Sequence, residues 1–475
     1  MSETRTSGVA ATVEAGSFRD PDSRVFYTDD GVCRALSEDG LADWRRLAQS
    51  GLYAELLAGD RIVETEEMPA GEVPAELAGQ WAGVLRHASI PFVSYPYEWT
   101  FGMLKDAALL QLALLQAALE RDLILKDSSP YNVQFRGARP TFIDVGSFEA
   151  LRQGEPWIGY RQFCMLYLYP LMLRAFRDVP FQPWLRGSLD GITPIELRNL
   201  LRARDRLRRG VLTHVVLHAR LEAKHADRAR DVKRELKQVG FRKELIQANV
   251  NKLHKLVSRL SWEPDAKAVW VAYGEDNSYT DEETRQKAEF VAAAASTRRW
   301  QRVWDLGCND GRFSDIASGH ADQVVAVDGD EGVVEMLYRR LRSDGRTDIL
   351  PLTVNLTDPS PDRGWRGRER RTLEARGTPD LVLCLALIHH IAITGNVPIP
   401  AFLDWLRSLD AAVVIELPLP DDVMVRRLLS AKREGLHTDY THEHFEESLR
   451  ARFTVERTEE LGGGTRVLYF AQPRG

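Results

Sequence analysis

The chain has 475 residues, 28% of them Asp, Glu, Lys or Arg and 44% hydrophobic, with a formal net charge of −6. That length exceeds one ordinary core, so two or three domains of a soluble globular protein are expected, and the negative balance argues against a nucleic-acid partner. Cys33, Cys164, Cys308 and Cys384 are scattered, without a CxxC pair or metal-ligand spacing, which suits buried thiols in a reducing cytoplasm.

Residues 1–13 are small and polar, an expected flexible N-terminus without the charged-then-apolar layout of a signal peptide. From Gly16 to Leu36 short β-like runs alternate with turn residues (GSFRDPDS, RVFY, TDDG, VCRAL). An amphipathic helix is predicted over Leu41–Leu57, followed by a Pro/Gly-rich joint near Met68–Pro74 and the extended aromatic segment PFVSYPYEW. The next stretch, FGMLKDAALLQLALLQAALERDL, reads as a long helix apolar on most sides, hence central in its domain. The most apolar runs, Ala107–Leu119 and Cys164–Phe176, are shorter than a bilayer requires, so no membrane insertion is expected.

From Leu123 the chain reads LILKDSSPYNVQFRGARPTFIDVGSF. A hydrogen-bonded turn would account for KDSSPYN by itself. The order Asp127, Asn132, then Asp144-Val145-Gly146 also resembles the protein-kinase-like and aminoglycoside-kinase-like phosphotransferases, where D-x-x-x-x-N precedes D-F-G or I-D. The resemblance implies an α+β kinase-like domain over 14–197. It casts Asp127 as the catalytic group that orients an acceptor hydroxyl, and Asn132 and Asp144 as holders of magnesium with ATP. Two features depart from the pattern. No G-x-G-x-x-G lies near Gly16, and Arg34 stands at the β3 lysine position, with Glu55 its expected partner. Arg and Lys are not interchangeable at phosphates, so both an active kinase and a repurposed scaffold stay open.

Residues 198–262 are helical in pattern and rich in Arg and Lys. They read as a basic helical connector laced with charge pairs through Glu222 and Asp227, or as a docking surface for an anionic substrate or partner.

Over 263–475 strands and helices alternate, as a doubly wound α/β sheet demands. A helix (Asp281–Ala295) precedes strands at Arg302–Leu306, Gln323–Asp328, Ile349–Leu356, Asp380–Leu387 and Ala411–Leu417. A helical YTHEHFEESLRARF and two last strands, Phe453–Thr458 and Arg466–Ala471, follow. VWDLGCNDGRFS puts Asp305 at the end of an apolar strand, then the small-residue turn Gly307, Asn309, Gly311; QVVAVDGD ends the next strand in Asp328. Such a turn lets backbone approach a ligand, and an acid on the next strand tip can take two ribose hydroxyls.

This segment resembles motif I and the acidic motif of class I S-adenosylmethionine-dependent methyltransferases, with a Rossmann-like sheet that ends in an antiparallel pair. The resemblance implies that Asp305, Gly307, Asn309 and Gly311 underlie the cofactor's methionine portion and that Asp328 holds its ribose. The helix from Arg312 is expected to meet the ligand carboxylate. Asn355 and Leu356 fall at the adenine, and Leu385 beside the methyl. Lys287 and Tyr279 are either further carboxylate contacts or solvated side chains. His389 and His390 are candidate bases, because an imidazole accepts a proton near neutral pH; Glu416 is a second candidate. No N/D-P-P-Y/F sequence follows strand four, which disfavours nucleobase amines. The long segment from Asn355 to Asp380 carries Trp365, Arg363, Arg366, Arg368, Arg370 and Arg371, either a cap over an anionic acceptor or a solvated basic loop.

Taken whole, SYPYEW, LKDSSPYNVQF, FIDVGSFE, NLTDPSP and LIHHI resemble a bacterial group of two-part, NoeA-like methyltransferases. That implies a small-molecule, glycan or natural-product acceptor. A bifunctional ATP-dependent kinase–methyltransferase and a cofactor-binding regulatory or scaffold protein are the alternatives, and the oligomeric state is left open.

Overall fold

The structure, a computed structural model, describes residues 11–28, 31–208, 210–220, 242–264 and 279–475. Residues 1–10, together with Glu222 and Asp227 of the expected charge pairs, lie outside the described residues.

The first half is built on an antiparallel sheet of β1 (Thr12–Val13), β2 (Ser23–Thr28), β3 (Gly31–Leu36), β4 (Thr65–Glu67) and β5 (Gly83–His87), in the order β1-β2-β3-β5-β4. Thr12 and Val13 pair with Tyr27 and Phe26, so the end of the expected loose N-terminus is a strand. The helix expected over Leu41–Leu57 is two helices. Ser37 caps Glu38–Gln49, and Gly51, in the left-handed region at φ 74°, opens Leu52–Ala58. Helix Phe101–Glu120 starts at the Thr100 cap and buries Met103, Leu104, Ala107, Leu112 and Leu115 on several faces. By length and composition it could cross a membrane, contrary to the sequence expectation, yet most of it is buried in this protein's own core. Two small antiparallel pairs follow, β6 (Leu123–Leu125) with β9 (Phe148–Ala150) and β7 (Val133–Arg136) with β8 (Arg139–Phe142). Helix Lys243–Arg259 buries Ile246, Val250, Leu253 and Val257, an i, i+4, i+7, i+11 stripe.

The second half is a seven-stranded sheet of β10 (Trp300–Leu306), β11 (Ala321–Asp328), β12 (Ile349–Thr353), β13 (Leu381–Cys384), β14 (Ala412–Pro418), β15 (Phe453–Glu460) and β16 (Arg466–Pro473). Its order is β12-β11-β10-β13-β14-β16-β15; the first five are parallel and β16 runs antiparallel between β14 and β15. This is the expected Rossmann-like sheet with its antiparallel end. The third and fourth strands are shorter than predicted, so Asn355, Leu356 and Leu385 lie just past strand ends.

Between β12 and β13 the chain forms no α-helix, only 3-10 turns at Trp365–Gly367 and Glu374–Arg376. The first half covers the sheet instead. Phe92 meets Trp304 of β10 edge-on at 6.3 Å, Phe135 meets Tyr338 at 6.2 Å, and the Ala138 amide donates to the Arg346 carbonyl beside the β12 edge. A parallel sheet needs both faces covered, and here part of that cover comes from residues far upstream.

Candidate cofactor crevice and N-terminal cleft

β10 and β11 pair in parallel register, Leu306 opposite Val327, so their carboxyl-terminal ends lie side by side. The turn between β10 and helix Arg312–Ser318 bends through three left-handed residues, Gly307 (φ 76°), Asn309 (φ 49°) and Gly311 (φ 81°). At Gly311 a Cβ would stand 2.6 Å from Leu337 Cδ1, so only glycine fits both the φ and the space. At Gly307 a Cβ would meet Leu387 at 3.4 Å, an ordinary van der Waals contact, so there the positive φ and not crowding calls for glycine.

Asp305 is buried and accepts a 2.6 Å hydrogen bond from the Ser314 hydroxyl. Burial pushes its carboxyl up to about 7; Ser314 and Lys287 pull against this, and the nearby Asp328 adds to it. Asp328 accepts from the Asn309 amide at 3.1 Å and the Asp330 amide at 3.0 Å. Burial raises its pKa too, against those amides. Helix N-capping of Glu331–Ser343 falls to Asp330, so Asp328 is free of that duty. Two carboxylates that feel one another therefore flank a turn without bulky side chains, and this donor set fits a cationic nucleoside.

The Val354 amide donates to the Asp328 carbonyl, which brings Asn355 and Leu356 to this crevice. Asn355 is exposed and its Oδ1 accepts from the Thr357 amide and hydroxyl, leaving its NH2 as the group to offer a ligand. Helix Arg312–Ser318 is one short element, and the Asp310 carboxylate takes the Arg312 amide. This fills part of the role expected for a ligand carboxylate there.

Past β13, Leu385 is buried, Ala386 is held at φ 51°, and Leu387 covers Gly307. A left-handed alanine stores strain of about 1–3 kcal/mol, which marks functional turns. The two histidines are not equivalent. His389 is 2% exposed, its Nδ1 has no hydrogen-bond partner among the described residues, and burial holds its pKa well below the ordinary value. His390 is exposed, with its ring 4.2 Å from that of His389.

Glu416 is not a free base. It is fully buried on β14, 2.7 Å from Lys287 Nζ and 3.2 Å from Arg466 Nη1, and it accepts from the Tyr279 hydroxyl at 2.6 Å. Burial would raise its carboxyl, but Lys287 and Arg466 hold it down to about 2. Lys287 and Tyr279 belong to this network and are not solvated, and Arg466 passes the charge on to Asp422 at 2.8 Å. The sequence reading missed Arg466. Its one signal was a lone cation opening the apolar run RVLYFA.

In the first half Asp127, Asn132 and Asp144 do come together. Asn132 hydrogen-bonds Asp127 and donates to the Ser147 hydroxyl at 3.3 Å, and that hydroxyl donates to Asp144 Oδ2 at 2.5 Å. Burial, then Asp144, raises the Asp127 pKa. Arg34 pairs with Asp144, its Nη1 2.9 Å from Oδ1, while Glu55 pairs with Arg121. The expected Arg34–Glu55 pair is corrected. The Arg34 guanidinium takes the Asp144 Oδ1 that a magnesium ion would need, and the Ser147 hydroxyl takes Oδ2. Asn132 and Asp144 therefore do not fit the expected Mg-ATP.

The arginines of the 355–380 connection are largely engaged. Arg363 donates to the Leu185 carbonyl, Arg370 lies 3.7 Å from the Tyr131 ring centroid, and Arg371 bonds Glu14 and Tyr27. Arg366, Arg368 and Trp365 face solvent.

No family model matches the chain. It is 32% identical over 456 residues, 96% of its own length and 95% of the relative's, to the nodulation protein NoeA of Rhizobium meliloti (strain 1021). Among solved structures it is similar to the N-methyltransferase NodS of Bradyrhizobium japonicum WM9, at 12% identity and TM-score 0.31, over 41% of this chain and 98% of that one. It is similar also to the magnesium protoporphyrin IX methyltransferase of Synechocystis PCC 6803, at 17% identity and TM-score 0.29, over 40% and 84%. The strand order of the chain itself, not these distant likenesses, carries the fold assignment. By identity along nearly its whole length, the chain belongs to the family of the nodulation protein NoeA.

Proposed function

We propose that the second half is an S-adenosylmethionine-dependent methyltransferase acting on a small-molecule, glycan or natural-product acceptor, and that the kinase-like first half assists acceptor binding. The observation that carries this is the pair Asp305 and Asp328 on neighbouring parallel strands, either side of the Gly307–Gly311 turn. S-adenosylmethionine, when bound, supplies a methyl already activated on a sulfonium. Asp328 would take the ribose hydroxyls, Asp305 and the glycine turn would lie along the methionine portion, and Asn355 with Leu356 would border the adenine. Leu385 and Leu387 exclude water from the reacting side, so alignment supplies much of the acceleration.

His389, whose Nδ1 has no hydrogen-bond partner among the described residues, is the candidate to accept a proton from the acceptor. His390 borders the same exit. Beyond them Ala392, Asn396, Ile399, His437 and Tyr440 line an open notch of about 90 Å³, the candidate place for the acceptor in this reading. The reading divides the chain at 14–197, 198–262 and 263–475, and puts the protein in the cytoplasm without nucleic-acid or membrane partners. Calorimetry with S-adenosylhomocysteine tests it directly: stoichiometric binding supports the reading, and no binding ends it. Release of S-adenosylhomocysteine in cell extract supplied with the methyl donor then separates an enzyme from a binding scaffold.

A further inference from the structure

We propose that the N-terminal cleft is filled by the protein itself: Arg34 stands in for a divalent cation, and residues 363–371 take the place of a nucleotide. The proposal rests on the geometry of the first half and is independent of the methyltransferase reading.

The cation comes first. Arg34 projects from β3 onto Asp144, with only 13% of its side chain exposed, and Ser147 ties Asp144 to Asn132. A magnesium ion demands near-octahedral oxygen ligands, and here an Asp144 oxygen already faces a fixed guanidinium.

The mouth of the cleft is closed by the connection between β12 and β13. Glu369 accepts from Arg19 Nη2 at 2.7 Å, on the turn between β1 and β2. A Cβ on Gly16 in the same turn would come 3.1 Å from the Glu369 Cα. Arg371 bonds Glu14 and, at 2.8 Å, the Tyr27 hydroxyl. Arg370 stacks on Tyr131, whose turn carries Asn132. Glu369 also accepts from the Trp365 amide at 2.9 Å, which holds the strap in its own bend. One strap thus touches the β1–β2 turn, β2 and the Asn132 turn together. Its other end starts at Asn355 and Leu356, so the first half is a clasp that fixes one wall of the crevice beside Asp328.

The test uses the full-length protein. Manganese binding by electron paramagnetic resonance and the melting temperature with magnesium-ATP should both read as background in the wild type. Arg34→Met should gain manganese affinity by about tenfold or more, and adding Asp144→Asn should remove the gain. Binding of manganese or magnesium-ATP by the wild type, abolished by Asp144→Asn, would overturn the proposal. So would a folded Arg34→Met that gains nothing. The wild-type arm stands even where Arg34→Met is unstable. In limited proteolysis Arg371→Ala should be cut within 363–371 roughly tenfold faster than wild type. An unchanged rate would mean that the cleft does not hold the strap. S-adenosylhomocysteine affinity, measured in parallel, reports on the methyltransferase reading alone.

Discussion

Arg376 and Glu98 face each other across the two halves of the chain in a two-pronged pair, Nη2 to Oε1 at 2.7 Å and Nη1 to Oε2 at 2.8 Å, with side chains 1% and 3% exposed. Arg376 also donates to the Val93 carbonyl, and Glu98 accepts the Tyr95 amide. Removing one partner strands a buried charge. Glu98→Gln should therefore lower stability by about 3–5 kcal/mol, and Arg376→Met by a similar amount. Urea titration should give one transition, at lower denaturant, with both halves unfolding together; a loss below about 1 kcal/mol would contradict the burial of the pair.

Asp328→Ala should weaken S-adenosylhomocysteine binding by about 1–3 kcal/mol, because charge-assisted bonds to the ribose are lost. The same substitution frees the Asn309 amide, so Asp328→Asn is the control that keeps an acceptor there. Calorimetry decides: an unchanged affinity in Asp328→Ala means that the ribose lies elsewhere.

Glu416 sets an acid-side signature. Its folded carboxyl sits at about 2 against an ordinary 4.5, so its contribution is full above pH 4.5 and is lost as pH falls through 2. Wild type should lose on the order of 3 kcal/mol across that window from this group. Glu416→Gln should be less stable at pH 7 and should flatten that window in chemical denaturation series. An equally steep decline in the variant would move the acid sensitivity to other carboxylates.

His389→Ala should cut S-adenosylhomocysteine release in extract while leaving cofactor affinity within about twofold, as expected of a group that acts on the acceptor. His390→Ala, at an exposed position, should have the smaller effect. Normal turnover in both variants would remove the pair from the chemistry.

The Asp305–Gly307–Gly311–Asp328 constellation was legible in the sequence because its information is local: an apolar strand, a turn that needs left-handed residues, and a second strand. The alternation of strands and helices was legible for the same reason, whereas the order of the strands in the sheet was not read from it. Arg34 with Asp144, Glu98 with Arg376 and Lys287 with Glu416 were not legible, since each joins residues far apart in the chain and surface-type residues are the ones buried. The Arg-rich connection misled for a related reason. Composition marks arginine as solvated, and only the fold reveals the tyrosines and carboxylates waiting for Arg370 and Arg371.

Because Phe92 and its neighbours roof the Trp304 side of the parallel sheet where a helix after β12 is lacking, the second half is not autonomous. Cut free at the basic connector, it would expose bare aromatic surface and clump rather than work, so any shortened version must keep the upstream half or be given a replacement roof.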